Sequence, residues 1–219
     1  MSAKRYELIV FDWDGTLMDS AGAIVRAIQA ACRDLDLPVP DDARARHVIG
    51  LGLDDALHYA VPTLTRSRYP EMVARYRYHY LSRDQELVLF DGIAATIERL
   101  AAGGWWLAVA TGKSRVGLDR ALAHSGLRAH FHATRTADEC FSKPHPAMLE
   151  ELMAELSVPP AQTLMIGDTT HDLSMAQNAG VDALAVSFGA HDVDTLASVP
   201  SVAMVATPGA LDQWLRDNA

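Results

Sequence analysis

The feature that most constrains this chain is Asp12-Trp13-Asp14-Gly15-Thr16, placed directly behind the apolar run Leu8-Ile9-Val10-Phe11. Four successive apolar residues closed by a turn signal read as a strand buried on both faces, the habit of parallel sheets covered by helices. Ligands of open α/β sheets bind beyond the carboxyl ends of such strands. Two carboxylates one residue apart at that point repel each other unless a cation joins them. The chain is therefore expected to be an α/β protein whose first strand ends in a polar site.

The remaining sequence predicts the sheet and an interruption in it. Ile24, Ile28, Ala31 and Leu35 form one apolar stripe of a helix that Asp19 or Ser20 can cap, and Pro38 and Pro40 end it. Residues 41–83 carry further helical patterns and no strand. One breaks at Gly50-Leu51-Gly52, one follows Asp54-Asp55, and one opens at Pro70 and runs to Leu81. After residue 87 strands at 106–110, 163–166, 183–186 and 202–205 alternate with helices, as βαβ units do. The expected architecture is a Rossmann-like, doubly wound parallel sheet built from residues 1–18 and 88–219. Residues 19–87 form an inserted, all-helical cap.

Bulk properties remove several function classes. A net charge of -9 argues against sequence-independent binding to nucleic acid or an anionic membrane, both of which want a basic face, so an anionic substrate must be drawn by a local site. Cys32 and Cys140 show neither a disulfide framework nor zinc-ribbon spacing. The apolar run near the start is too short for a signal-peptide core, and a cytoplasmic location is expected.

Three more polar clusters follow strands or stand on connecting loops: Thr111-Gly112, Lys143-Pro144, and Gly167-Asp168-Thr169-Thr170-His171-Asp172. Each has an ordinary explanation as a turn, a helix cap or a surface lysine. Together they gather Asp12, Asp14, Asp168 and Asp172 against one lysine, Lys143. Like charges about 4 Å apart cost on the order of 4 kcal/mol per pair at an effective dielectric of about 20. A phosphate dianion could not enter such a place, but Mg²⁺ reverses the sign of the problem. It takes oxygen ligands and keeps a substrate phosphate in its shell. Asp12, Asp168 and a backbone carbonyl near Asp14 can supply protein oxygens. Thr111 and the Gly112 amide can clamp phosphate oxygens.

The order D-x-D-G-T, T-G, K-P and G-D-x-x-x-D resembles the four motifs of the haloacid dehalogenase superfamily. With a helical insertion straight after the first motif, the chain is most similar to the phosphoglycolate-phosphatase-like branch. The similarity extends through Asn178-Ala179-Gly180-Val181. The resemblance implies a Mg²⁺-dependent phosphomonoester hydrolase acting on a small phosphorylated metabolite, as a monomer or homodimer. Asp12 would be the nucleophile that forms an aspartyl-phosphate. Asp14 would protonate the leaving alcohol and then deprotonate the hydrolytic water. Thr111, Gly112 and Lys143 would hold the transferring oxygens, Asp168 would bind the metal, and Asp172 would act on it directly or through water. In the cap, the turn around Arg46, His47, Gly50 and Leu51 is the expected specificity loop; as a plain surface turn it would do nothing.

Position 14 separates relatives, because a leaving halide needs no proton and family members that cleave carbon–halogen bonds lack an aspartate there. Phosphosugar mutases of the superfamily are expected to carry histidine twelve residues after the nucleophile, where this chain has Ile24. The return into the core reads Asp91-Gly92 where relatives often have proline before the glycine. A non-catalytic phosphate-binding module is the remaining alternative. Gly50-Leu51-Gly52-Leu53-Asp54-Asp55-Ala56 imitates a dinucleotide fingerprint without a preceding strand, and Gly112-Lys113-Ser114 imitates the end of a P-loop without its first glycine. Arg75-Tyr76-Arg77-Tyr78-His79-Tyr80 could stack on bases but reads as an amphipathic cap helix. The nine histidines include no H-E-x-x-H, and His130 and His132 lack a matching acid cluster.

Overall fold

A computed structural model describes residues 5–219. Six strands form one sheet: β1 (Leu8–Phe11), β2 (Trp106–Thr111), β3 (Ala133–Thr136), β4 (Thr163–Gly167), β5 (Asp182–Val186) and β6 (Ala203–Val205). All five pairings are parallel, in the order β3-β2-β1-β4-β5-β6. The chain starts in the middle and winds outward in both directions. This puts the ends of β1, β2 and β4 side by side at the switch point, where doubly wound sheets bind ligands.

Besides three short 3₁₀ turns, the described residues form ten α-helices: α1 (Ala21–Asp34), α2 (Asp42–His47), α3 (Leu53–Ala60), α4 (Tyr69–Leu81), α5 (Ile93–Ala102), α6 (Arg115–Ser125), α7 (Ala147–Leu156), α8 (Thr170–Ala179), α9 (Val193–Leu196) and α10 (Pro208–Asn218). Alternation along the strands sorts the core. Ile9 and Phe11 face one layer with Leu107 and Val109, covered by α5, α6 and α10. Leu8 and Val10 face the other with Ala108 and Met165, covered by α7, α8 and α9. Burial on both faces explains why β1 reads as an unbroken apolar run.

Helices α1 to α4 bury a third cluster of their own, in which Ile24, Ile28, Ala31, Ile49, Leu57 and Met72 meet. The chain leaves the sheet and returns to it along adjacent paths. Asp19 N donates to Val88 O and Phe90 N to Leu17 O, each at 3.0 Å. No helix among the described residues is long and apolar enough to cross a membrane.

Strand β3 and helix α10 lie outside the pattern read from sequence. β3 is a four-residue edge strand, and its Arg135 turns outward to Glu151 and Glu155 at 2.6 and 2.8 Å. An edge strand with one covered side and charged decoration has no apolar run to reveal it.

Candidate active site

Asp12 follows β1, Thr111 ends β2, and Asp168 follows β4, so sheet order alone brings three of the motifs together. Lys143 comes from the loop before α7, where its peptide bond to Pro144 is cis. Its side chain is fully buried, and Nζ donates to Asp12 Oδ1 and Asp172 Oδ1, both at 2.7 Å. Burial alone pulls the ammonium down, but those two carboxylates outweigh it and hold Lys143 above its usual range.

Asp12 is also fully buried, and its Oδ2 accepts no hydrogen bond among the described residues. Burial pushes its carboxyl up to about 7 against the pull of Lys143. Asp168 accepts from Thr16 Oγ1 at Oδ1 and from the Ala190 amide at Oδ2, each at 2.7 Å. Burial first, then the charges of Asp12 and Asp172, raise its carboxyl well above the ordinary range. Gly15 makes this approach possible. It adopts φ +87°, and a Cβ there would lie 2.1 Å from Asp168 Oδ2.

Carboxylate oxygens of Asp12, Asp168 and Asp172 lie within 4.8 Å of one another. An orphaned buried carboxylate oxygen beside two more acids is a hard-oxygen donor set, and it fits Mg²⁺. Asp172 is more heavily engaged: besides Lys143, it closes a capping box at the start of α8, with Oδ2 accepting from Thr169 N and Oγ1.

Asp14 departs from the expected convergence of acids. It is not among the three acids that cluster, and its side chain accepts from Ser20 Oγ at 2.7 Å and from Lys113 Nζ at 3.0 and 3.1 Å. Ser20 stands at the N-cap position of α1, yet its hydroxyl serves Asp14 instead of a helix amide. The site thus contains two lysines, where the sequence reading counted one. The signal for Lys113 in the sequence is its place directly after Thr111-Gly112 at a strand end.

Thr111 is buried, and its Oγ1 accepts from the Lys113 amide at 3.2 Å. Next to it, the Gly112 Cα abuts the cap. A Cβ there would lie 2.3 and 2.5 Å from the carbonyl oxygens of Leu51 and Gly50. The Gly50-Leu51 turn between α2 and α3 is therefore seated against the end of β2. Ser142 Oγ accepts from Gly52 N at 2.9 Å, and the His47 carbonyl accepts from His171 Nε2 at 2.6 Å and His191 Nε2 at 3.2 Å. Burial lowers His171 to about 4 and lowers His191 as well, so both imidazoles are neutral near pH 7. Of the expected specificity residues, His47 and Gly50 join this docking contact, while Arg46 stands half-buried in the last turn of α2.

Comparison with known proteins agrees with this geometry. Residues 9–186 match the family of haloacid dehalogenase-like hydrolases. A probable phosphatase, IndB of Dickeya dadantii, is 35% identical over 91% of this chain and 89% of its own length. A phosphoglycolate phosphatase of Yersinia pseudotuberculosis is 31% identical over 85% of this chain and 83% of its own length. The crystal structure of a predicted phosphatase from Clostridium acetobutylicum superposes with a TM-score of 0.85 at 24% identity, covering 97% of this chain and 99% of that one, which speaks to fold. The chain belongs to the haloacid dehalogenase-like hydrolases, in their phosphoglycolate-phosphatase-like branch.

Proposed function

We propose that this chain hydrolyses phosphomonoesters of small metabolites, phosphoglycolate-like or sugar phosphates, by a Mg²⁺-dependent route through an aspartyl-phosphate on Asp12. The observation that carries the reading is Asp12 Oδ2, a buried carboxylate oxygen with no partner among the described residues, at the end of the central strand.

Asp12 attacks phosphorus, and the P–O bond to the alcohol breaks. Lys143 pins the other oxygen of Asp12, which fixes the direction of attack, and its charge balances the incoming phosphate. The Thr111 hydroxyl and the Gly112 amide stand beside β1 to hold non-bridging oxygens. Asp14 gives a proton to the departing alcohol oxygen and takes one from the water that cleaves the intermediate. Asp12, Asp168 and the main chain near Asp14, with Asp172 directly or through water, would hold Mg²⁺, which when bound would supply positive charge beside the phosphoryl oxygens. Residues 19–87 act as the cap, and the seated Gly50-Leu51 turn excludes water from the phosphate loop.

The mutase alternative loses ground because Ile24 packs into the apolar cluster of the cap and offers no proton. The test is release of inorganic phosphate from p-nitrophenyl phosphate with Mg²⁺, with EDTA, and by Asp12→Asn. Activity requires both the metal and Asp12. Turnover that survives EDTA, or the substitution, refutes the mechanism.

A further inference from the structure

Asp14 must work on the leaving group, yet an acid on a loop between core and cap needs something to hold its carboxyl in place. The structure supplies a holder that the mechanism above does not use. Lys113 is buried to a side-chain exposure of 10% and donates to both oxygens of Asp14 and to Tyr80 Oη at 3.0 Å. Those contacts employ all three ammonium protons. Asp14 Oδ1 also receives Ser20, so Oδ2, with its single 3.1 Å contact, keeps the spare lone pair.

Tyr80 belongs to α4 of the cap. Its ring lies 5.0 Å beneath Lys113 Nζ and stacks on Tyr76 at 5.9 Å. An unbroken chain of contacts therefore runs from a cap helix through Tyr80 and Lys113 to the acid. Ion pairs this enclosed add little to stability, because desolvation offsets the attraction, and apolar substitutes of similar volume are often as stable. A purely structural role would thus leave the pair replaceable.

We propose that Lys113 is a positioning residue that presents Asp14 to the leaving group, and that Tyr80 couples this presentation to seating of the cap. The inference rests on the hydrolase reading given above. Its signature is dependence on the leaving group. An alkoxide leaves only with a proton, whereas p-nitrophenolate departs without one, so misplacing Asp14 harms alkyl esters selectively. The quantity to compare is kcat/KM, which stops at departure of the alcohol and is blind to the later hydrolytic step shared by all substrates.

The experiment measures kcat/KM for p-nitrophenyl phosphate and for the alkyl phosphomonoester that the wild type turns over fastest in a metabolite panel. Lys113→Met should lower the alkyl value roughly 10²-fold, the scale of a displaced general acid, and the aryl value far less. Tyr80→Phe, which keeps the ring and loses the hydroxyl, should shift the alkyl-to-aryl ratio a few-fold in the same direction. It also serves as the test if Lys113→Met does not fold. Equal losses on both esters, or no loss on either, overturn the proposal. So does a wild type that cleaves the aryl ester but no alkyl ester. A wild type that releases phosphate from neither refutes the hydrolase reading itself.

Discussion

Lys143 Nζ lies 2.7 Å from Asp12 Oδ1 and no hydrogen bond reaches Asp12 Oδ2 among the described residues, so one oxygen of the central carboxylate is fixed while the other is open to a ligand. On the proposed mechanism, in which Asp12 is the nucleophile, this one contact sets its position.

The lysine also holds the site together. Lys143→Ala leaves Asp12 and Asp172 buried with no cation between them. Removing one partner of a buried pair costs about 3–5 kcal/mol. Urea unfolding in EDTA should show a loss of that size, and a change within error of zero would contradict the assignment.

Metal should act on stability as well as on turnover. A ligand that binds only the folded acid cluster stabilises by about 2.7 kcal/mol at a hundred times its Kd. Mg²⁺ should therefore raise the melting temperature of the wild type and fail to raise that of Asp168→Asn. An equal rise in both proteins places the bound ion elsewhere.

Gly112→Ala tests the seating of the cap. The new Cβ would sit 2.3 Å from Leu51 O, too close for backbone atoms to accommodate without movement. Overpacking of this kind costs about 1–3 kcal/mol. The expected outcome is a cap displaced from the phosphate loop, seen as faster proteolysis between α2 and α3 and a lower kcat/KM. An unchanged cleavage pattern with full activity speaks against the contact.

The histidines at the cap–core contact predict a pH effect on folding. Burial lowers His171 from 6.5 to about 4, so between those values the unfolded chain binds a proton that the folded chain does not. Stability from this group is whole above about pH 6.5 and falls as the pH drops toward 4, by up to ~1.4 kcal/mol per pH unit. Unfolding free energies at pH 7 and pH 5 should differ less for His171→Gln than for the wild type. An identical pH slope in the two proteins would disprove this.

Much of the fold was legible because its signals are local. The apolar run of β1, the 3.6-residue stripe of α1 and the breaks at Gly103, Gly126 and Gly180 depend only on neighbouring residues. The polar clusters behind β1, β2 and β4 could be assigned to one crevice because parallel strands align their carboxyl ends. Strand β3 escaped notice because its pairing with β2 supplies what its four residues lack. Lys113 escaped because its partners, Asp14 and Tyr80, are 99 and 33 residues away.

The sequence by itself therefore determined which chemical groups this protein carries and at which strand ends they stand, since periodicity and turn chemistry are short-range. Only the tertiary structure decided how the carboxylates divide their work. Asp12, Asp168 and Asp172 face one another, while Asp14 turns to Lys113 and Ser20. That division depends on side-chain direction and on contacts with the cap, and neither is fixed until the helices of residues 19–87 pack against the ends of the sheet.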